Sequence, residues 1–221
     1  MKKLYLLFAV FLLSMASSLQ AFDISGEALF VRSGEIARVD WMVTDTNPTA
    51  NMQFSFDFGH GDQTAFDGST YFYFYQIENT MPSIINTLML NVNPDNINSA
   101  GFLVSVDLDS APFSHFVALE SETATTGPIN PTTTTLSVPG VSHITWSFSN
   151  PQLLEGEYST VLFLTSNVPP IFQLSHIGAG SPALPGTLPT PPLADVVIPE
   201  PFSMMLLGSS LIGLVIRKKR K

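Results

Sequence analysis

Apolar and polar residues alternate with a period of two through most of the interior of this chain. Phe54, Phe56 and Phe58 alternate with Ser55 and Asp57, and Leu88, Leu90 and Val92 with Met89 and Asn91. Phe102, Val104, Val106 and Leu108 oppose Leu103, Ser105, Asp107 and Asp109. Ile144, Trp146 and Phe148 alternate with Thr145, Ser147 and Ser149, and Val39, Trp41 and Val43 stand against Arg38 and Asp40. Side chains of a strand point alternately to its two faces, so each run predicts one buried and one wetted face. Ser159–Ser166 is apolar on both faces and predicts a central strand. Asn-Pro at 47–48, 93–94, 130–131 and 150–151, and Asp-Gly at 67–68, punctuate the runs with turn chemistry. No sustained 3.6-residue period interrupts them. Eight to ten short strands so separated predict an all-β fold, an antiparallel β-sandwich of Ig-like or jelly-roll type, over residues 22–180.

The two ends follow a different pattern. Lys2 and Lys3 precede ten consecutive apolar residues, Leu4–Leu13, and then small residues up to Ala21. That order is a secretory signal peptide, residues 1–21, cut after Ala21 or alternatively after Ser18. A ten-residue run is short for spanning ~30 Å of hydrocarbon. At the other end Ser181–Pro201 holds seven prolines in 21 residues. Residues 181–197 therefore read as a semi-rigid polyproline spacer. Pro199-Glu200-Pro201 follows, then the uncharged, mostly apolar Phe202–Ile216, then Arg217, Lys218, Lys219, Arg220 and Lys221. Fifteen helical residues cover only ~22 Å, enough to stop transfer but short for a permanent anchor. The five basic residues hold the tail in the cytoplasm by the positive-inside rule.

Residues 198–221 resemble the PEP-CTERM sorting signal of Gram-negative bacteria. That signal is a Pro-Glu-Pro motif usually preceded by Val, a short hydrophobic transmembrane helix and an Arg-rich tail. Ile198 in place of Val is the one clear departure. The resemblance covers about 24 of 221 residues and carries nothing about the domain before it. It implies export through the Sec translocon, an inner-membrane intermediate held by the helix, and recognition by an exosortase, a membrane-embedded cysteine transpeptidase. Cleavage near Pro199, Glu200 and Pro201 then delivers the body to the cell surface or an extracellular matrix, in systems that accompany exopolysaccharide production. Leu184-Pro185-Gly186-Thr187-Leu188 approaches the Gram-positive sortase signal, but Leu188 stands where glycine is required. A plain C-terminal anchor is the third reading.

Charge sharpens the picture. Of nine basic residues, seven lie in the two ends, and residues 22–201 hold Arg32 and Arg38 against eighteen carboxylates, a formal −16. Phosphate contact needs clustered Lys or Arg, so no nucleic-acid partner is expected. The absence of cysteine removes disulfides, thiolate metal sites and cysteine nucleophiles.

Candidate chemistry is sparse. In Tyr71-Phe72-Tyr73-Phe74-Tyr75 a strand places Tyr71, Tyr73 and Tyr75 on one face and the phenylalanines in the core. The tyrosine face is either a strip on which sugar rings of an exopolysaccharide stack, or a covered face with each hydroxyl partnered. Asp57, Asp62 and Asp67 lie in a Gly-rich stretch, a weak candidate for Ca2+ that misses the EF-hand spacing. The polar run Asn91–Asn98 reads as turn chemistry. Asp107 and Asp109, ~7 Å apart on one strand face, read as solvated rather than as an acid/base pair. His60, His115, His143 and His176 show no zinc spacing, and no nucleophile elbow, P-loop or dinucleotide fingerprint is present. The expected protein is a non-catalytic exported surface or matrix protein without a cofactor. The alternatives are a carbohydrate-binding module using the tyrosine strand and a secreted hydrolase with a triad assembled in space.

Overall fold

The computed structural model describes residues 22–46, 53–58, 69–105, 116, 128–136, 142–180 and 182–193, with the backbone alone at 53–58 and 104–105. The described residues form strands β1 (Asp23–Arg32), β2 (Glu35–Thr44), β3 (Gln53–Phe58), β4 (Tyr71–Glu78), β5 (Thr87–Asn91) and β6 (Ser99–Ser105). After these come β7 (Thr133–Leu136), β8 (His143–Ser147), β9 (Leu162–Ser166), β10 (Ile171–Gly178) and β11 (Leu184–Thr190). Two antiparallel sheets result, ordered β1-β2-β4-β9-β6-β3 and β11-β10-β5-β8-β7. Among the described residues the only helix is a 3-10 turn, Pro94–Asn96. Asn93 caps it, its side-chain oxygen accepting from the Asp95 amide at 3.1 Å, as the Asn-Pro chemistry predicts.

One apolar core lies between the sheets. Val39, Trp41, Val43, Tyr73, Tyr75, Ile77, Leu162 and Leu164 enter it from the first sheet. Leu88, Leu90, Ile144, Trp146, Ile177, Leu184 and Leu188 enter from the second. These are the odd or even members of each alternating run, as expected of facing sheets. Two buried aromatic side chains also bond across the gap. Trp146 Nε1 on β8 donates to the Gly101 carbonyl on β6 at 3.0 Å. Tyr75 Oη on β4 donates to the Pro189 carbonyl on β11 at 2.7 Å.

The central strands of the first sheet are buried on both sides. β9 is buried at every position, as its unbroken apolar sequence predicts. On β4, Phe72, Phe74 and Gln76 face away from the core and are buried too. The polar groups there are paired: Ser99 and Thr165 hydroxyls meet at 2.7 Å, and Gln76 Nε2 donates to the Ser159 carbonyl at 3.1 Å. Unpaired, each would cost about 1–3 kcal/mol.

Edge strands β1 and β11 pack together and close one side of the structure. β1 and β2 are joined by Ser33-Gly34, both at positive φ (46° and 91°), the two-residue turn whose twist matches a hairpin. From that hairpin Phe30 lays its ring on Gly186 of β11. Beside it Arg32 Nε donates to Glu35 at 2.9 Å, and Arg32 Nη2 donates to the Ala179 carbonyl at 3.1 Å in the β10–β11 turn.

β11 corrects the sequence-based boundary at 180. The proline content predicts a polyproline spacer over 181–197, yet Leu184–Thr190 pairs along its length with β10. Prolines fit because Pro185 and Pro189 sit opposite His176 and Phe172, at alternate positions. The intervening residues carry the ladder, and the missing N–H groups point off the sheet edge. This placement also puts the sortase-like Leu184–Leu188 inside a paired strand, with Leu184 and Leu188 buried. At the far edge of the same sheet Thr133–Leu136 forms β7, paired with β8.

Candidate functional site

The tyrosines share one face, but that face looks inward. Tyr73 and Tyr75 are fully buried and Tyr71 is half-buried. Tyr73 Oη donates to the Val168 carbonyl at 2.6 Å, and Tyr75 Oη uses Pro189 as above. Burial pushes both phenols well above their ordinary pKa of 10.0, with a smaller contribution from the neighbouring tyrosine. The stacking strip is thereby corrected: two of its three rings are core. Period-two alternation identified the shared face but could not say which way it pointed, because the opposite face of β4 is equally apolar and equally buried.

Both arginines of the acidic body are held by carboxylates. Arg32 pairs with Glu35, and Glu35 also accepts from Ser83 Oγ. These two hydrogen bonds, Ser83 first, hold the Glu35 carboxyl below its usual 4.5. Arg38 Nη2 lies 2.5 Å from Glu78 Oε2, a charge contact without an aligned hydrogen bond. Asp40 and Glu27 lie 3.8 Å from the same guanidinium. Tyr158 Oη donates to the other Glu78 oxygen at 3.1 Å, and its phenol is raised by burial and then by the Glu78 charge. This cluster spends its one cation internally and keeps the outer side of the β1–β2 hairpin acidic.

The outward face of the second sheet is chemically distinct. Strand register aligns Thr133, Ser147 and Thr87 in one row. The next row is Thr135, Thr145, Met89, His176 and Pro185. Asn91 stands opposite His143 and donates from Nδ2 to the Leu174 carbonyl at 2.6 Å, with Thr187 opposite Leu174. Phe172 lies at the end of the face, 60% exposed, with Leu174 51% exposed. Its ring meets core Trp41 of the first sheet edge-on, centroids 5.5 Å apart, so Phe172 sits at the rim, where the start of β10 turns toward the gap between the sheets. Among the described residues of these five strands, no outward position carries Asp, Glu, Lys or Arg. Sequence reasoning missed this face because no single strand displays it. It emerges only when five separate segments are placed in register.

The remaining candidates lie outside what the structure describes. They are Pro199, Glu200, Pro201, the apolar stretch 202–216, Arg217–Lys221, Asp62, Asp67, Asp107, Asp109, His60 and His115; of Asp57 only the backbone, in β3, is described. Among the described residues no group of three or more His, Asp or Glu is placed to hold a metal ion. No described helix is long and apolar enough to cross a membrane. No protein-family model, no curated protein and no solved structure matches the chain.

Proposed function

We propose that the chain is an exported, non-catalytic protein of a Gram-negative envelope, sorted through a PEP-CTERM signal at residues 198–221. The observation that carries this reading is the order and spacing of Pro199-Glu200-Pro201, the uncharged Phe202–Ile216 and the basic Arg217–Lys221. Export begins at the Sec translocon under direction of residues 1–21. The apolar stretch then halts transfer in the inner membrane, and the basic cluster keeps its far side cytoplasmic. An exosortase cuts near Pro199, and the β domain passes to the surface or the extracellular matrix. β11 ends at Thr190, but Pro191–Leu193 still packs on the domain: the Pro191 and Pro192 carbonyls accept from Gln173 and Asn96, and the Leu193 amide donates to Gln173, so five residues, 194–198, separate the packed chain from Pro199. Five residues reach at most ~17 Å. This tether is much shorter than a spacer beginning at residue 181, and it keeps the domain close to the membrane until cleavage.

We read the sandwich as jelly-roll-like rather than Ig-like. Between β4 and β10 the chain changes sheet at every connection except β7–β8. The test of sorting is the intact mass and C-terminal peptide map of the protein from its native host, fraction by fraction. The expected mature species begins near Phe22 and lacks Phe202–Lys221. A species retaining Arg217–Lys221 in the inner membrane overturns the exosortase reading and leaves a plain anchor.

A further inference from the structure

From the register of the five-stranded sheet we infer a further site: its outward face binds a neutral polysaccharide. The inference does not rest on the sorting signal, and it replaces the tyrosine strip with a surface on the other side of the molecule.

Charge selects the class of occupant. Residues 22–201 carry a formal −16, yet the described residues of this face include no Asp, Glu, Lys or Arg. A polyanion is repelled by the surrounding body. A polycation gains more on the acidic surface, such as the side bearing Glu27, Asp40 and Glu78, than on a face with no counter-charge. A second copy of the chain would bring another strongly negative body within about a Debye length, ~8 Å at physiological salt. A thin neutral polymer meets the face alone. Five strands at ~4.8 Å spacing give it a track about 19 Å across.

The side chains suit hydroxylated rings. At one end the exposed rim residue Phe172, held edge-on by Trp41, continues the apolar surface of Leu174. Across the rest run the hydroxyls of Thr133, Thr135 and Ser147 and the imidazole of His176, groups that donate and accept without a net carboxylate charge to desolvate. β-Branched threonines hold their hydroxyls in few rotamers, so ordering them on binding costs little entropy.

The test uses protein isolated from the host and native gels cast with the host's own extracellular polysaccharide, separated by ion exchange into neutral and acidic fractions. The neutral fraction is expected to retard the protein. Phe172→Ala is expected to weaken retardation about tenfold or more, the effect of one anchoring side chain. Thr135→Ala, at the opposite end of the face, weakens it less. Leu29→Ala, exposed on the other sheet, leaves it unchanged. Tryptophan emission checks that each variant is folded. Three results overturn the inference: no retardation by the neutral fraction, equal retardation of wild type and Phe172→Ala, or retardation by the acidic fraction alone. Sedimentation of the same samples supplies a fourth, since a dimer that Phe172→Ala dissolves assigns the face to a second copy.

Discussion

Gly186→Ala places a methyl group where Phe30 already sits. An added Cβ at Gly186 falls 2.6, 2.6 and 2.7 Å from three ring atoms of Phe30. Ordinary carbon contacts are ~3.5–4.0 Å, so ring and methyl must separate by roughly 1 Å. Phe30 is fully buried in the seam between β1 and β11 and has no solvent-side space into which to swing. Either the ring leaves its rotamer or β1 lifts from β11. Overpacking of this kind costs about 1–3 kcal/mol. Loss of a glycine from the unfolded chain returns about 0.4–1 kcal/mol. The net expectation is a destabilisation of about 1–2 kcal/mol. With a urea m-value near 2 kcal/mol/M, the midpoint falls by about 0.5–1 M at unchanged slope.

A second background makes the reasoning exacting. Phe30→Ala alone opens a large cavity and costs about 3–5 kcal/mol. In that background Gly186→Ala meets no ring, so its penalty vanishes or reverses as the methyl fills part of the void. The double-mutant cycle therefore carries a coupling of 1 kcal/mol or more, within the range of about 0.5–3 for residues in contact. Urea unfolding followed by tryptophan emission measures all four corners. A Gly186→Ala midpoint within 0.2 M of wild type, or additive single effects, refutes the packing of β1 on β11.

Three further outcomes follow from the same structure. Tyr73 and Tyr75 have phenols raised above the unfolded value of 10.0, so the stability tied to their neutral forms is complete below pH 10 and is lost as pH rises beyond it; tyrosinate absorbance should show two groups ionising only with unfolding, and full titration with unchanged circular dichroism contradicts this. Glu35 has a lowered carboxyl, so its contribution is present above about pH 4.5 and is lost as pH falls through the lower folded value; Glu35→Gln should flatten the acid limb of stability against pH, and an unaltered limb counts against the Ser83–Glu35–Arg32 chain. Trp146→Phe removes the donor to the Gly101 carbonyl and should cost about 1–3 kcal/mol in urea, with loss of the more deeply buried of two tryptophan emitters; an unchanged midpoint would show that the cross-sheet bond contributes nothing.

Strands whose two faces differ were legible in the sequence. β2, β3, β5 and β8 stand where period-two alternation places them, and β9 stands where an unbroken apolar run predicts a central strand. β1, β10 and β11 were not legible, for physical reasons specific to each. β1 carries Leu29 and Val31 on its exposed side, which blurs the alternation. β10 likewise exposes Phe172 and Leu174. β11 is written Leu-Pro-Gly-Thr-Leu-Pro-Thr, a composition that argues for a linker until the pairing shows both prolines at alternate, edge-directed positions. The tyrosine strand shows the complementary failure. A one-dimensional pattern gives which residues share a face, but the burial of that face depends on what the other sheet brings against it.

The outward face of the second sheet follows from the same limit, and it bears on how an acidic protein keeps a binding surface. Eighteen carboxylates spread over residues 22–201 would, if placed without regard to face, leave few sheet surfaces uncharged. β5, β7, β8, β10 and β11 nevertheless contain no Asp, Glu, Lys or Arg at any position, inward or outward. Inward positions are uncharged because a core demands it. Outward positions face water and have no such demand, and the first sheet freely places Glu27, Arg38 and Glu78 on its own outward side. Folding therefore does not require the neutrality of the second sheet's outer side. A carboxylate introduced there separates the two explanations. Thr135→Asp sits at an exposed edge position and should leave the unfolding free energy in urea within about 0.5 kcal/mol of wild type, as surface changes do. The same change should reduce retention on the neutral polysaccharide fraction, because binding must then desolvate a charge. A large loss of stability instead would make the neutrality a folding requirement and remove the charge argument for a binding face.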